Sequence, residues 1–229
     1  MNNLAIIPAR AGSKRIPNKN IKDFFGKPII YYPIYEALSS KIFSEVMVST
    51  DSIKIAKLSE KYGAKIPFIR SQKNSDDHAI LPDVIEEVLS EYKKLGKDFD
   101  NICCIMPTNP FLTSDILTDS FKKFKRGNGE SMIAVKKINT PIEKAYELKN
   151  NMLFPLFKDH FKTRTQDLKP KYSDAGSFFW VTMGAFNEYK KGITNKTIPY
   201  ILDESKVQDI DNLDDWKLAE LKYKILNYE

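Results

Sequence analysis

The residues best suited to chemistry lie near the start of the chain, in Ile6-Ile7-Pro8-Ala9-Arg10-Ala11-Gly12-Ser13-Lys14-Arg15-Ile16-Pro17-Asn18-Lys19-Asn20. Four cations, Arg10, Lys14, Arg15 and Lys19, surround Gly12 and Ser13. Small residues let backbone N–H groups approach an anion closely, and the cations neutralise a polyphosphate. The set therefore suits a nucleoside triphosphate. It matches neither the P-loop pattern G-x-x-x-x-G-K-[ST] nor the dinucleotide pattern G-x-G-x-x-G. The competing reading is a basic surface turn.

A second constellation is Asp209-Ile210-Asp211. Two carboxylates separated by one apolar residue at a strand end project to one side, where hard oxygen ligands hold Mg²⁺. A structural alternative stands beside this reading. Asp211 or Asn212 can cap the helix that follows, with Asp214 and Asp215 in its first turn. The triphosphate-type loop tips the balance toward metal binding. His78 and His160, the two histidines, have no visible partners and are not nominated as bases.

These groups must be positioned by a regular scaffold. Residues 4–7 read as a buried strand that breaks at Pro8. A helix opened by Pro28 runs through Ala37 and Leu38, with a kink or a late start expected at Pro33. Residues 46–50 form a second strand, Asp51 or Ser52 caps a helix ending near Gly63, and residues 66–69 form a third strand closed by Arg70. Pro82 opens an amphipathic helix with Val84, Ile85, Val88, Leu89, Tyr92 and Leu95 on one face, stopped by Gly96. A fourth strand spans 102–106, Ser114 caps a helix to about Arg126, and a fifth strand spans 132–135. Repeated strand–helix units with apolar strands argue for a parallel sheet covered on both faces, with ligands at the carboxyl ends of the strands.

From 140 to 172 the alternation fails. Pro141, Pro155 and Pro170 mix with Phe154, Phe157 and Phe161, which reads as an inserted hairpin-like excursion. Strand character resumes at 178–181 and 198–201, and a last helix runs from about Leu213 through Trp216, Ala219, Tyr223 and Leu226. The expectation is a single α/β domain over 1–229, a three-layer αβα sandwich on a mostly parallel sheet, with 140–172 as a small insertion and possible dimerisation hairpin.

At 229 residues the chain is long enough for a sizeable core. Its net charge of +6 suits anionic substrates but is spread over helical faces, as in Lys122, Lys123, Lys125 and Arg126, with no aromatic-basic module of a nucleic-acid binder. Cys103 and Cys104 are adjacent and so point to opposite faces of a strand, cannot readily pair, and have no metal-type spacing. No secretory segment or membrane span is read, so a cytoplasmic address is expected.

The loop from Ile6 to Asn20 resembles the first motif of the sugar cytidylyltransferases, the family that makes CMP-sialic acids. The resemblance extends to the last helix. It implies a Rossmann-like nucleotide-diphospho-sugar transferase fold and CTP as substrate, bound by Arg10, Gly12, Ser13, Lys14, Lys19 and Asn20. It also implies that Arg70 and the loop Ser75-Asp76-Asp77-His78-Ala79, Asp77 in particular, surround the cytosine base. Asp209 and Asp211 become Mg²⁺ ligands in this picture and, with Lys19, the catalytic set.

Two stretches bear on the sugar. F-x-T-R-x-Q-D-L over 161–168 followed by Y-x-D-A-G-x-F over 172–178 is similar to the pseudaminic acid branch of that family, which activates a bacterial diamino nonulosonic acid for surface or flagellin glycosylation. Arg164 would pair with the sugar carboxylate, and Gln166, Asp167 and Asp174 would meet its amide or hydroxyl groups. The competing view is a dimer-contact hairpin with surface polar residues. Met106 also stands where the sialate branch has a glutamine before P-T-S-P, and a thioether cannot make that glutamine's hydrogen bonds. The implied reaction is CTP plus pseudaminic acid giving the CMP-sugar and pyrophosphate, in a homodimer. The alternatives are a sialic or legionaminic acid synthetase, a D-x-D glycosyltransferase, and a non-enzymatic nucleotide-binding regulator.

Overall fold

A computed structural model describes residues 1–76 and 79–228. The chain opens with β1 (Asn3–Pro8), buried along its length up to the partly exposed Pro8. The phosphate-type loop follows, then a tight hairpin of β2 (Asp23–Phe24) and β3 (Lys27–Pro28). Pro28 therefore does not open a helix. The first helix, α1 (Tyr31–Ser40), starts late, which places Pro33 in the first turn, where a backbone N–H has no intrahelical partner to lose.

Next come β4 (Glu45–Ser49) and α2 (Ile53–Lys61), whose N-cap is Ser52, its hydroxyl accepting from the Ile55 amide. The expected strand at 66–69 does not form. Only Lys65 bridges to β4, through bonds to Val46 and Val48. Pro67 then follows without an N–H to continue the ladder.

Past that edge the chain enters α3 (Leu81–Lys94), with Pro82 in its first turn and Val84, Ile85, Val88 and Tyr92 buried. Then come β5 (Asn101–Ile105), buried on both faces, and α4 (Ser114–Arg126). The cap of α4 is Thr113 rather than Ser114, its hydroxyl accepting from the Ile116 amide. After β6 (Ser131–Lys137), residues 146–155 make an exposed antiparallel hairpin of β7 (Tyr146–Lys149) and β8 (Met152–Pro155). The chain returns as β9 (Tyr172–Thr182) and closes with α5 (Met183–Tyr189), β10 (Thr197–Leu202) and α6 (Leu213–Tyr228).

The central sheet has the order β10-β6-β9-β5-β1-β4. All pairings are parallel except those of β9, which runs antiparallel to both β5 and β6. The excursion between β6 and β9 has no crossover helix to carry the chain back across the sheet, so β9 re-enters from the end where β6 left. Alternation along the strands divides the core. Ala5, Ile7 and Cys103 pack with α1, α2 and α4 on one face, while Leu4, Ile6 and Cys104 pack with α3 and α5 on the other. The two cysteines thus belong to different layers, and burial raises both thiol pKa values.

A third apolar cluster lies beside the loop that leaves β1: Ile16, Phe24, Ile29, Phe111, Ile210, Trp216 and Ala219. It joins the first loop, the β2–β3 hairpin and α6. Ile210 is fully buried there. Ile210→Ala is expected to cost about 2–5 kcal/mol of stability through the cavity it leaves, read as a shift of the denaturant midpoint. A midpoint unchanged from the parent would show that this cluster carries no weight in the fold.

Candidate active site

The loop over 9–18 leaves the carboxyl end of β1 and is fastened to the end of β4. The Ala9 amide donates to the Ser49 carbonyl at 2.8 Å, and the Ala11 amide to Asp51 Oδ1 at 2.8 Å. Arg70, buried by its surroundings, braces the same corner from below. Its Nε donates to Ser49 Oγ at 2.9 Å and its Nη2 to the Ser49 carbonyl. Burial lowers the Arg70 pKa, opposed by Asp51 and Glu87. The loop's far end is plugged by buried Ile16, and Asn18 turns it with a left-handed φ of 55°. Asn20 is buried beneath, its Nδ2 donating to the Arg10 carbonyl at 3.0 Å.

A cavity of about 370 Å³ opens over this loop, lined by Arg10, Ser13, Lys14, Arg15, Lys19, Asn20, Pro107 and Asp211. All four cations of the sequence pattern meet in it. Arg10, Gly12, Ser13 and Lys14 also line a neighbouring hollow of about 520 Å³ beside Ser75 and Asp76, and Arg10 Nη1 donates to the Asp76 carbonyl at 2.9 Å. Gly12 does not need a left-handed backbone, and among the described residues a Cβ there would meet nothing within 4 Å. The space above it is open for an anion to approach the main chain.

Opposite the cations stand Asp209 and Asp211. They do not end a strand, as the sequence pattern suggested, but lie on irregular chain before α6. Ile210 between them points into the third cluster and turns both carboxylates outward. Asp211 is not the helix cap. Asn212 Oδ1 accepts from the Asp214 and Asp215 amides at 2.8 and 3.0 Å, and Asp215 Oδ2 accepts back from the amides of Asp211 and Asn212. This reciprocal capping box satisfies the helix terminus without Asp211.

Asp211 Oδ1 instead accepts from Arg15 Nη2 at 2.8 Å, and Lys19 Nζ donates to the Ile210 carbonyl at 2.6 Å. Burial lowers the Lys19 pKa, countered by Asp211 and Asp209. Burial raises the Asp209 pKa, and the neighbouring Asp211 adds to the shift. Gly176, at φ 60°, backs onto Asp209: a Cβ there would lie 3.3 Å from its carboxyl carbon. Asp174 Oδ1 accepts from the Gly176 amide at 2.8 Å, which ties Asp174 to this corner.

The other residues expected at the sugar are elsewhere. Arg164, Gln166 and Asp167 sit on an exposed 3₁₀ turn and do not line the cation cavity. Gln166 faces a separate hollow of about 430 Å³ with Lys137, Asn139 and Lys171. Asp77, expected near the base, and His78 lie outside the described residues. Two participants were not assigned from the sequence. Arg15 stood out only as one more cation, and its partner lies 196 positions away. Asp51 was read as a possible helix cap, and nothing local announces its bond to the loop amide.

A cationic loop at the carboxyl end of β1, facing a carboxylate pair on the irregular chain before α6, is the arrangement of a nucleotidyl-transfer type of site. The sequence profile of the family described as Cytidylyltransferase matches residues 4–204. The chain is 40% identical to the pseudaminic acid cytidylyltransferase of Campylobacter jejuni subsp. jejuni serotype O:2, over all of this chain and 99% of that protein. It is 33% identical to the CMP-N,N'-diacetyllegionaminic acid synthase of Legionella pneumophila, over 99% of this chain and 97% of that one. Its fold matches the solved structure of CMP:2-keto-3-deoxy-manno-octonic acid synthetase complexed with CTP, with a TM-score of 0.71 at 15% identity over 99% and 100% of the two chains. The chain belongs to the cytidylyltransferase family and is a CTP-dependent nucleotidyltransferase.

The raised Asp209 pKa has a consequence for stability. A carboxyl whose pKa is higher folded than unfolded destabilises the fold as pH rises from the unfolded value through the folded one. In EDTA at neutral pH, Asp209→Asn is therefore expected to melt above the parent chain. The gap should close as pH falls below the ordinary carboxylate value of about 4, where the carboxyl is protonated in the folded and the unfolded chain alike. A melting temperature below the parent's at neutral pH would mean that Lys19 and the local hydrogen bonds outweigh burial.

Proposed function

We propose that this chain joins CTP to pseudaminic acid, giving CMP-pseudaminic acid and pyrophosphate. The observation that carries the reading is the meeting of four loop cations with Asp211 around one cavity. Likeness at 40% identity over the whole chain to a pseudaminic acid cytidylyltransferase supports the choice of sugar. The product of such a reaction would serve surface or flagellin glycosylation.

In this reading Arg10, Lys14 and Lys19 hold the triphosphate, with Gly12 offering its backbone N–H and Ser13 its hydroxyl, since the Ser13 amide already donates to the Ala11 carbonyl at 2.9 Å. The anomeric hydroxyl oxygen bonds to the α-phosphorus in line as the bond to the bridging oxygen breaks, and the hydroxyl proton leaves to solvent. The cations neutralise the departing pyrophosphate, so the protein contributes positioning and charge compensation. Asn20 fixes the loop through the Arg10 carbonyl. That bond sets the orientation of its amide and leaves buried Oδ1 without a protein donor among the described residues. It is a ready acceptor for a ligand hydroxyl or a bound water.

Cytidylyltransferases generally use a divalent metal. Asp209 and Asp211 fit Mg²⁺: both are hard oxygen donors, and Gly176 leaves room behind Asp209 that a side chain would fill. No group of three or more His, Cys, Asp or Glu forms a cage among the described residues. Most of the shell thus falls to ligand oxygens and water, as Mg²⁺ favours. When bound there, the ion supplies charge neutralisation and polarises the phosphoryl oxygens. Arg164, Gln166, Asp167 and Asp174 remain the proposed sugar contacts, with Arg164 for the carboxylate.

The β7–β8 hairpin exposes Leu148 (66%), Met152 (60%) and Leu153 (63%) together with Tyr146. An apolar surface of this kind favours burial against a second copy, which supports a homodimer. No helix among the described residues is long and apolar enough to cross a membrane, and the reading places the enzyme in the cytoplasm.

Two experiments test this function. Given CTP, Mg²⁺ and a panel of nonulosonic acids, pyrophosphate release is expected to be at least tenfold more efficient with pseudaminic acid than with N-acetylneuraminic acid. Each buried polar group left unmatched costs about 1–3 kcal/mol. Comparable kcat/KM for the two sugars, or preference for the legionaminic isomer, would overturn the sugar assignment. Separately, Asp211→Asn is expected to abolish Mg²⁺-dependent turnover with little change in melting. Asn212→Ala should cost about 1 kcal/mol of stability and keep turnover. The reverse pattern would make Asp211 a structural residue.

A further inference from the structure

Arg15 faces two partners at once. Its Nη2 lies 2.8 Å from Asp211 Oδ1, and its side chain lines the same cavity as Arg10, Lys14 and Lys19. We propose that Arg15 is a positioning residue that competes with the divalent metal for Asp211, and that the triphosphate draws it off that carboxylate. The inference rests on the readings of Asp209–Asp211 as metal ligands and of the loop as the triphosphate seat.

Three features single out Arg15 from the neighbouring cations. Its ion pair is open to solvent, with the two side chains 67% and 43% exposed, so the hold on Asp211 is weak, about two- to fivefold in an equilibrium. Its backbone is pinned by buried Ile16 and by Pro17, so a change of partner requires only rotation of the exposed side chain. Its planar fork matches two phosphate oxygens at once. Lys19 lacks this freedom, because it is partly buried and its Nζ is engaged by the Ile210 carbonyl.

Arg15 on Oδ1 of Asp211 weakens that carboxylate's hold on a dication, since the two cations repel across a few ångströms. A triphosphate that takes Arg15 therefore leaves Asp211 better able to hold the metal, and a metal on Asp211 leaves Arg15 better able to hold the triphosphate. By linkage the two ligands strengthen each other through this one side chain, in addition to any direct contact between metal and phosphate.

The test measures each ligand alone in the full chain. Mn²⁺ binding is followed by electron paramagnetic resonance without nucleotide, and CTP binding by calorimetry in EDTA. The proteins are wild type, Arg15→Ala, Arg15→Lys and Asp211→Asn. Arg15→Ala is expected to bind Mn²⁺ about two- to fivefold more tightly and CTP about tenfold or more weakly. Arg15→Lys, which keeps the charge but loses the fork, should fall between. A merely structural role would lower both affinities together with the melting temperature. Unchanged or weaker Mn²⁺ binding in Arg15→Ala, or unchanged CTP binding, overturns the exchange while Asp211→Asn still lowers Mn²⁺ affinity. Loss of that Asp211 dependence overturns the metal reading beneath it instead.

Discussion

The site depends on an apolar fastening rather than on its charges. Ile16 ends the cationic loop and Ile210 separates the two carboxylates, and both are buried in one cluster with Phe111 and Trp216. An exposed pair such as Arg15–Asp211 contributes little to holding two distant segments together. Burying each isoleucine contributes about 1.5–3 kcal/mol. The apolar residues therefore hold the opposing charges face to face, and the Arg15–Asp211 pair, open to solvent, is not needed as a clasp. A site that must admit and release a polyanion benefits from this division of labour.

The cost appears in the electrostatics. Burial depresses Lys19 and raises Asp209, so each charge is disfavoured by its own desolvation and sustained in part by the other. Asp211 helps Lys19 but opposes Asp209. Two carboxylates held this close are a standing repulsion in the protein alone and an attraction for a dication. Strain of this kind is common where groups are arranged for a ligand. The capping box of Asn212 and Asp215 matters here because it closes the helix terminus with other residues and leaves Asp211 available.

How much of this was legible in the sequence follows from the range of the interactions. The Ile6–Asn20 string and the Asp209–Asp211 pair are local patterns, and the α/β alternation is written in strand and helix periods. All three were readable. The strand expected at 66–69 failed because its apolar run carries Pro67 on a sheet edge, where pairing stops at Lys65. The helix expected at Pro28 began later because a two-residue hairpin intervened, its turn formed by Phe25 and Gly26 with φ of 50° and 80°. Arg15 with Asp211, and Asp51 with Ala11, were invisible for a different reason. They join segments far apart in the chain, and no residue type at either end specifies its partner.

The antiparallel course of β9 connects the insertion to the chemistry. Because the chain re-enters the sheet from the site end, the first half of β9 passes close to Asp209. There Gly176 at φ 60° lets the strand approach Asp209, and Asp174 holds the turn through the Gly176 amide. A parallel strand in that position would have needed a crossover and would have delivered its carboxyl end, not its start, to the site. The segment that follows the β7–β8 hairpin thus reaches Asp209 within one continuous strand. The path from the insertion to Asp209 is short, Tyr172 to Ala175, and at Gly176 the strand departs from regular geometry, its pairing with β6 shifting register. Arg164, Gln166 and Asp167, which lie outside the cation cavity, precede that path on the same stretch of chain.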